Sequence, residues 1–233
     1  MNGNDLRWQR THEQIKLAFI HELRRKNFNQ VTVTSLIKTA KISRRAFYLH
    51  YQDKFDLLKQ LEQSLVKQLT TAFSVDHRHF LNSLTDKSAL WQQNYFFLTN
   101  VLTLIDQERP LFKALLSKRG DPQFTEQLWD LTAQELDTRI DLYHAHFTDQ
   151  IPAKYAQVLI VDGIIGMVKA WIANPHPESV KNFSRILTNS QLVAPFNLIS
   201  NQWIKSTQCG TQKRPKARQK PSSGPLAEGS RDI

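Results

Sequence analysis

Two short helical patterns joined by a tight turn constrain the fold of this chain more than any other feature. The segment "TVTSLIKTA", residues 32–40, places its apolar side chains on one helix face behind Thr32, a favourable N-cap residue. A second helix can begin at Ser43, directly after the turn "AKIS". Two helices connected by so few residues must cross steeply, which is the helix-turn-helix arrangement.

Helical periodicity also dominates the rest of the chain up to about residue 204. The first apolar stripe starts at Ile15, and we expect its helix to end near Asn27 in a left-handed cap. Further helices are predicted over 88–107 and from Asp53, Pro110, Pro122, Pro152 and Glu178. Glycine is scarce, with 7 in 233 residues, which argues against a turn-rich all-β fold. The sequence therefore predicts an all-α protein.

The positive charge of the chain is concentrated at its two ends. The formal net charge is +10, and the excess lies in residues 1–60 and 205–233, whereas residues 61–204 are slightly acidic. A basic segment on an otherwise neutral chain indicates a polyanionic partner, and nucleic acid is the commonest one. Basic ends that are merely solvated are the alternative.

Several features favour an intracellular protein that does not enter a membrane. The N-terminus lacks the apolar run of a signal peptide. The longest apolar stretch, residues 158–168, contains Asp162 and is too short to span a bilayer. Cys209 is the single cysteine and cannot form an internal disulfide, which fits a reducing compartment. The segment after Ser206 lacks apolar periodicity, which predicts a disordered basic tail that either contacts phosphates or has no role.

The second helix of a helix-turn-helix enters the DNA major groove, and its early residues meet the base edges. Its first exposed residues here are Arg44 and Arg45. Arginine can donate two hydrogen bonds to O6 and N7 of guanine, the commonest base-specific contact. Phe47 faces the apolar seam, whereas Tyr48 faces outward, where its hydroxyl can reach a phosphate.

The stretch from about residue 15 to residue 61 resembles the DNA-binding domain of the tetracycline-repressor (TetR) family. The family pattern is a Thr-capped helix, an Ala-Gly-Val-Ser turn, Phe-Tyr, a His, an aromatic residue, and Asp-Lys before a Leu pair. This sequence reads "TVTSLIKTAKISRRAFYLHYQDKFDLL". It departs from the pattern at Lys41, where the family usually has glycine. The resemblance implies DNA contacts at Thr32, Thr34, Ser43, Arg44, Arg45, Tyr48, His50 and Lys54.

The resemblance also implies a division into domains. We expect a helix-turn-helix DNA-binding domain in residues 1–60 and a larger helical domain for effector binding and dimerisation in residues 61–204, followed by the tail at 205–233. In one subgroup of the family, the closing helices pair with those of a second subunit as a four-helix bundle. An internal core helix is the alternative. The expected dimer interface comprises Ile160, Gly163, Ile164, Met167 and Trp171.

Aromatic residues of the middle helices are candidates for an effector pocket. Such side chains converging between helices can line an apolar cavity, although a solid core at this spacing is the alternative. A small apolar or aromatic effector would fit a lining of this kind. The candidate lining residues are Trp91, Tyr95, Phe96, Phe112 and Trp129.

The sequence as a whole predicts a homodimeric regulator that binds a palindromic DNA site. We expect a cytoplasmic, nucleoid-associated repressor that is released by a small-molecule effector. An activator, or a DNA-tethered adaptor that responds to a partner protein, is the alternative. We predict no catalytic site, cofactor or metal site, because the sequence has no phosphate-binding glycine loop, zinc-ligand spacing or nucleophile elbow.

Overall fold

The computed structural model describes residues 3–80, 87–142, 146–147 and 149–190. These residues contain helices and turns but no strand, which confirms the all-α fold class. The described helices all lie in one compact unit that spans residues 1–193. The predicted tail lies outside the described residues. The α-helices are α1 (Gly3–Arg25), α2 (Val33–Ala40), α3 (Arg44–His50), α4 (Lys54–Phe80), α5 (Lys87–Gln107), α6 (Arg109–Leu115), α7 (Pro122–Leu142), α8 (Ala153–Ala173) and α9 (Val180–Ser190).

Helices α1, α2 and α3 pack with the first turns of α4 around an apolar core. Glu22 of α1 is buried beside this core. Its carboxylate accepts a hydrogen bond from Thr39 Oγ1 at 3.0 Å and pairs with Lys26 Nζ at 2.5 Å. Burial raises the pKa of Glu22, but hydrogen bonds from Lys26, Ser35 and Thr39 outweigh this effect and leave the pKa below its ordinary value. The fully buried side chains of this core include Ile15, Phe19, Leu23, Leu36, Phe47 and Leu57.

Two of the expected helix ends differ in the structure. Helix α1 begins at Gly3, well before the predicted stripe at Ile15. Asn27 has φ −66 and is not left-handed, because a 3-10 turn, Phe28–Gln30, follows it directly. Among the described non-glycine residues, Lys41 has the positive φ, 54, at the end of α2. A non-glycine residue in this conformation costs about 1 kcal/mol relative to glycine.

Helix α4 belongs to both of the predicted domains. It begins at Lys54 among the helix-turn-helix elements and continues to Phe80, past the predicted boundary at residue 60. The buried core is likewise continuous, from Ile15 of α1 to Leu187 of α9. The two predicted domains therefore share one apolar core within the described residues.

Helix α8 combines an apolar sequence with low burial. Its 21 residues are long and apolar enough to cross a membrane by length and composition alone, which corrects the prediction that no such stretch exists. Core and interface helices of soluble proteins have the same composition, so this is weak evidence for a membrane. One side of α8 packs against α6, α7 and α9. Its mid-helix carboxylate, Asp162, accepts a hydrogen bond from Trp129 Nε1 at 2.9 Å.

Candidate nucleic-acid interface

Helix α2 is capped at its start and closed by a left-handed residue at its end. The amide of Ser35 donates to Thr32 Oγ1 at 3.1 Å, and the amide of Thr32 donates to Ser35 Oγ at 3.3 Å. This reciprocal pair is a capping box. At the other end, Lys41 turns the chain so that the Ile42 amide donates to Ile37 O at 3.3 Å. The helix thus leaves Thr32 and Thr34 exposed at its N-terminal end.

Helix α3 is the second helix of the helix-turn-helix, and we call it the recognition helix. It starts with a side-chain cap and is held by two buried aromatic residues. Ser43 Oγ accepts a hydrogen bond from the Ala46 amide at 3.1 Å. Phe47 and the C-cap residue Tyr51 are both buried in the core. Tyr48 is 50% exposed. The sequence therefore turns one face of α3 inward and leaves the other face available for a ligand.

Four basic side chains lie exposed on α2, the turn and α3. They are Lys38, Lys41, Arg44 and Arg45. None of the four pairs with a carboxylate in the part of the chain that the structure describes. Unpaired cations around a recognition helix create the positive potential that a phosphate backbone requires. Lys38 and Lys41 were not among the contacts predicted from the sequence, although their positions beside the turn could have identified them.

Lys54 has a different role from the phosphate contact that was expected. Its Nζ lies 3.2, 2.9 and 2.9 Å from the carbonyl oxygens of Phe28, Asn29 and Val31. The ammonium also lies 4.9 Å from the ring centroid of Phe28 and 5.2 Å from that of Phe55. An ammonium group has three N–H donors, and all three are used here. Lys54 therefore joins the start of α4 to the turn that precedes α2.

We expect Lys54→Ala to lower stability without changing the number of phosphate contacts. Three carbonyls lose a charged donor, which should cost about 2 kcal/mol of unfolding free energy. The slope of log affinity against log salt should stay at the wild-type value, whereas loss of a phosphate contact reduces it by about 1. Urea unfolding and DNA binding across a salt series measure the two effects.

Lys38→Ala, which removes an exposed cation of α2, provides the comparison for that salt series. A Lys54→Ala slope that fell by about 1 would restore the phosphate role. A slope equal to that of the wild type, with a lower urea midpoint, would support the structural role.

The side chain of His50, like that of Lys54, makes contacts within the protein. Its ring stacks on Trp8 of α1 with centroids 4.7 Å apart, and Trp8 also stacks on His12 at 5.6 Å. Burial lowers the pKa of His50, and His12 lowers it further. Tyr51 shares a 2.6 Å hydrogen bond with His12 Nδ1. These contacts favour a neutral imidazole that fixes the end of α3 on α1, so His50 is a poor phosphate ligand. The helical spacing of Trp8, His12 and Ile15 in the sequence could have predicted that α1 extends back to Trp8.

Comparison with known proteins gives a family match for the C-terminal part of the chain. Residues 92–191 match a TetR C-terminal family model, described as "Transcriptional regulator C-terminal region". These residues follow a helix-turn-helix of the geometry just described. Together with the curated relative below, this match supports a TetR-family transcriptional regulator.

One curated relative and two solved structures illustrate the family resemblance. The HTH-type transcriptional regulator YxbF of Bacillus subtilis is 34% identical over 65 residues, which is 26% of this chain and 17% of that protein. A TetR-family regulator from Syntrophomonas wolfei has a TM-score of 0.57 at 16% identity, covering 82% of this chain and 97% of that one. A TetR regulator from Streptococcus agalactiae has a TM-score of 0.51 at 21% identity, covering 80% and 96%. At these identities the two structures show the fold alone.

TetR-family regulators bind DNA, form dimers and respond to small molecules, and regulators of transcription generally do not catalyse reactions. The absence of enzymatic activity in this chain stays a prediction. In the described residues, no group of three or more His, Cys, Asp or Glu side chains could hold a metal ion.

The described effector-pocket candidates lie on α5, α6 and α7 and differ in burial. Phe112 is 1% exposed and packs against Phe124 with ring centroids 6.1 Å apart, so it belongs to the buried core. Phe96 is 55% exposed on α5 and packs edge-to-face against Tyr95. Trp129 bonds to α8 through Asp162. The side chain of Trp91 lies outside what the structure describes. The effector pocket formed by these residues stays a prediction.

A surface cleft of about 630 Å³ lies at the connection between α7 and α8. None of the described pocket candidates lines it. The cleft is mostly apolar in its chemistry, with an imidazole and a carboxylate among its side chains. Its lining residues are Ile140, His146, Phe147, Asp149, Gln150, Ile151, Pro152 and Ala153.

The five residues of the expected dimer interface on α8 differ in their exposure. Trp171 is 2% exposed and stacks on Phe183 of α9 at 4.7 Å, so it is not available to a partner. Ile164 and Met167 pack against the core, and Ile160 is half-buried. Gly163 alone of the predicted five lies exposed.

The opposite side of α8 forms an exposed, mostly apolar strip, which also carries the exposed carboxylate of Asp162. A methyl group added at Gly163 or Gly166 would meet nothing within 4 Å, so these glycines do not serve packing inside the subunit. Small residues on an exposed helix face permit the close approach of a second helix. We call this strip the α8 face, and it comprises Tyr155, Val158, Leu159, Gly163, Gly166 and Ala170.

Proposed function

We propose that this TetR-family protein is a homodimeric repressor that binds a two-fold symmetric DNA site and is released by a small apolar or aromatic effector. The observation that carries the proposal is the pair of unpaired, exposed arginines at the start of α3, Arg44 and Arg45. They follow a capped first turn whose other face is anchored by Phe47. Residues 1–60 then act as the DNA-binding domain, in the cytoplasm, and residues 61–204 as the regulatory domain.

Dimerisation is supported by the α8 face. Leu159 and Tyr155 are large apolar side chains left exposed on α8, which is long and apolar enough to cross a membrane by length and composition alone. An exposed, mostly apolar strip of this kind is typical of an interaction site. Two copies related by a two-fold axis would present two recognition helices to successive major grooves, which one subunit cannot do.

We expect Arg44→Ala and Arg45→Ala each to erase preference for one base position in each half-site. A bidentate arginine–guanine pair contributes about 1–3 kcal/mol of discrimination, so the cognate site should lose roughly 10- to 100-fold of its advantage. The measurement is selection of bound sequences from a random DNA pool at moderate salt, first with the wild type and then with each variant.

An exposed arginine of α9 gives the matched control, Arg185→Ala, which removes the same charge outside the DNA-binding helices. It should select the wild-type consensus. Failure of the wild-type protein to select any symmetric consensus would refute the proposed function. Expression of genes beside the selected site should rise when the protein is removed, and a fall would make it an activator.

A further inference from the structure

The turn held by Lys54 is also the point where the loop after α6 reaches the DNA-binding helices. The amide of Phe28 in this turn donates to the carbonyl oxygen of Arg119 at 3.2 Å. The guanidinium of Arg119 donates to the carbonyl oxygen of Arg24, in the last turn of α1. Cations at a helix C-terminus are favoured by the helix dipole and by the free carbonyls there. One residue therefore contacts both α1 and the turn that follows it.

The loop that carries Arg119 has little freedom to move by itself. A Cβ atom at Gly120 would lie 1.9 Å from Leu115 O and 2.7 Å from Ala114 O, so the chain folds back closely on α6. The Gly120 amide donates to Ser117 O at 3.0 Å, and Ser117 Oγ donates to Ala114 O at 2.8 Å. Any displacement of α6 is therefore passed to Arg119.

Both the first and the last turn of α6 are bonded to the C-terminal end of α8. The Arg109 guanidinium lies 3.9 Å from the ring centroid of Trp171, and its Nη1 donates to Trp171 O at 3.0 Å. Lys113 Nζ donates to Ala173 O at 3.2 Å. The helix that carries the α8 face is thus joined to α6 through charged hydrogen bonds and a cation–π contact.

A third contact holds the start of α6 against α1. Lys16 Nζ of α1 lies 3.2 Å from both carboxylate oxygens of Glu108, the N-cap residue of α6. The short helix is therefore fixed to α1 at its beginning and, through Arg119, beyond its end. It lies between α8 and the DNA-binding helices as a single rigid connector.

From these contacts we propose that the loop of residues 117–120 sets the position of the DNA-binding helices through the Phe28–Gln30 turn, with Arg119 as the positioning residue. This inference rests on the proposed function. Thr32, the N-cap of α2, follows the turn closely, and Lys54 ties the same turn to the start of α4. A shift of α6 relative to α8 would thus move α2 and α4 together. Regulation then acts on the spacing of the two recognition helices of a dimer.

Arg119→Ala in the full chain tests the proposal. Affinity for the selected DNA site should fall by roughly fivefold or more, because the position of the DNA-binding helices is no longer fixed. The slope of log affinity against log salt should not change, since no phosphate contact is lost. Amide hydrogen exchange at Phe28 and Val31 should become faster. Lys118→Ala is the matched control, because Lys118 is an exposed cation in the same loop with no described partner.

The possible outcomes separate this inference from the proposed function. If the wild type selects no DNA site, the proposed function fails before Arg119 is considered. If the wild type selects a site and Arg119→Ala matches Lys118→Ala in affinity, the inference is overturned, even when exchange at Phe28 is faster. A lower salt slope in Arg119→Ala would also overturn it, because Arg119 would then be a direct phosphate contact.

Discussion

Replacing Leu159 with aspartate is expected to convert the proposed dimer into a monomer at micromolar concentration. Leu159 lies in the middle of the α8 face and is 59% exposed in the isolated subunit. In a two-fold symmetric interface the substitution places two carboxylates near each other in an apolar contact. An uncompensated buried charge costs about 4 kcal/mol, which weakens association roughly a thousandfold. Sedimentation velocity gives the oligomeric state directly.

Leu17→Asp is the control for this experiment, because Leu17 on α1 is 60% exposed and undergoes the same chemical change. It should leave the oligomeric state intact. Leu159→Asp should also lose affinity for a symmetric site while keeping weak, salt-sensitive binding to any DNA. A Leu159→Asp protein that stays dimeric would show that the subunits associate through a surface other than the α8 face.

Glu62→Gln is expected to stabilise the protein at alkaline pH and to flatten the dependence of its stability on pH. Glu62 of α4 is 6% exposed, and its Oε1 has no hydrogen-bond partner in the described structure. Burial, with a smaller contribution from Asp121, raises its pKa from 4.5 to about 7. The folded protein therefore prefers the protonated carboxyl group. Its contribution to stability is complete below pH 4.5 and is lost as the pH rises through about 7.

The size of this effect follows from the shift in pKa. Above pH 7 the charged carboxylate should cost about 3 kcal/mol of unfolding free energy, which the glutamine variant avoids. Urea unfolding at pH 5 and pH 8 measures it, with a gain expected at pH 8 and little change at pH 5. Glu126→Gln, at an exposed position on α7, is the control and should follow the wild type at both values. Equal pH dependence of both variants would contradict the assignment to Glu62.

The helix-turn-helix could be predicted from the sequence because its determinants are local. Thr32 and Ser43 cap their own helices within a single turn, and Phe47 and Tyr51 lie one helical turn apart on the buried face. Capping and helical periodicity depend on neighbours of this kind, so a motif of this length carries the information. Even the left-handed position at Lys41 followed from the place where the family has glycine.

The roles of Lys54 and His50 could not be predicted in the same way. The carbonyl groups that hold Lys54 come from a turn more than twenty residues earlier, and Trp8 is still further from His50 in sequence. An exposed cation and a solvated imidazole look identical to anchored ones in a sequence pattern. Contacts that depend on tertiary structure therefore decided which of the expected phosphate ligands were free.

The regulatory domain was harder to predict for two physical reasons. Helical spacing identifies Phe112 as inward-facing, but it does not tell a cavity lining from a packed core. Helix α8 is apolar on nearly all sides, so its periodicity cannot indicate which side meets the rest of the subunit. The stacking of Trp171 on Phe183 and Arg109 decides that question in the structure.

The recognition helix is held at both ends before any ligand arrives. A helix of 7 residues is too short to persist alone in water. Here Ser43 closes its first turn, Phe47 and Tyr51 anchor its inner face, and His50 rests on Trp8. Since the reading surface is ordered in the free protein, association with a cognate site is docking and not coupled folding. The heat-capacity change of that association then reflects the interface alone, and no conformational entropy is lost in forming α3.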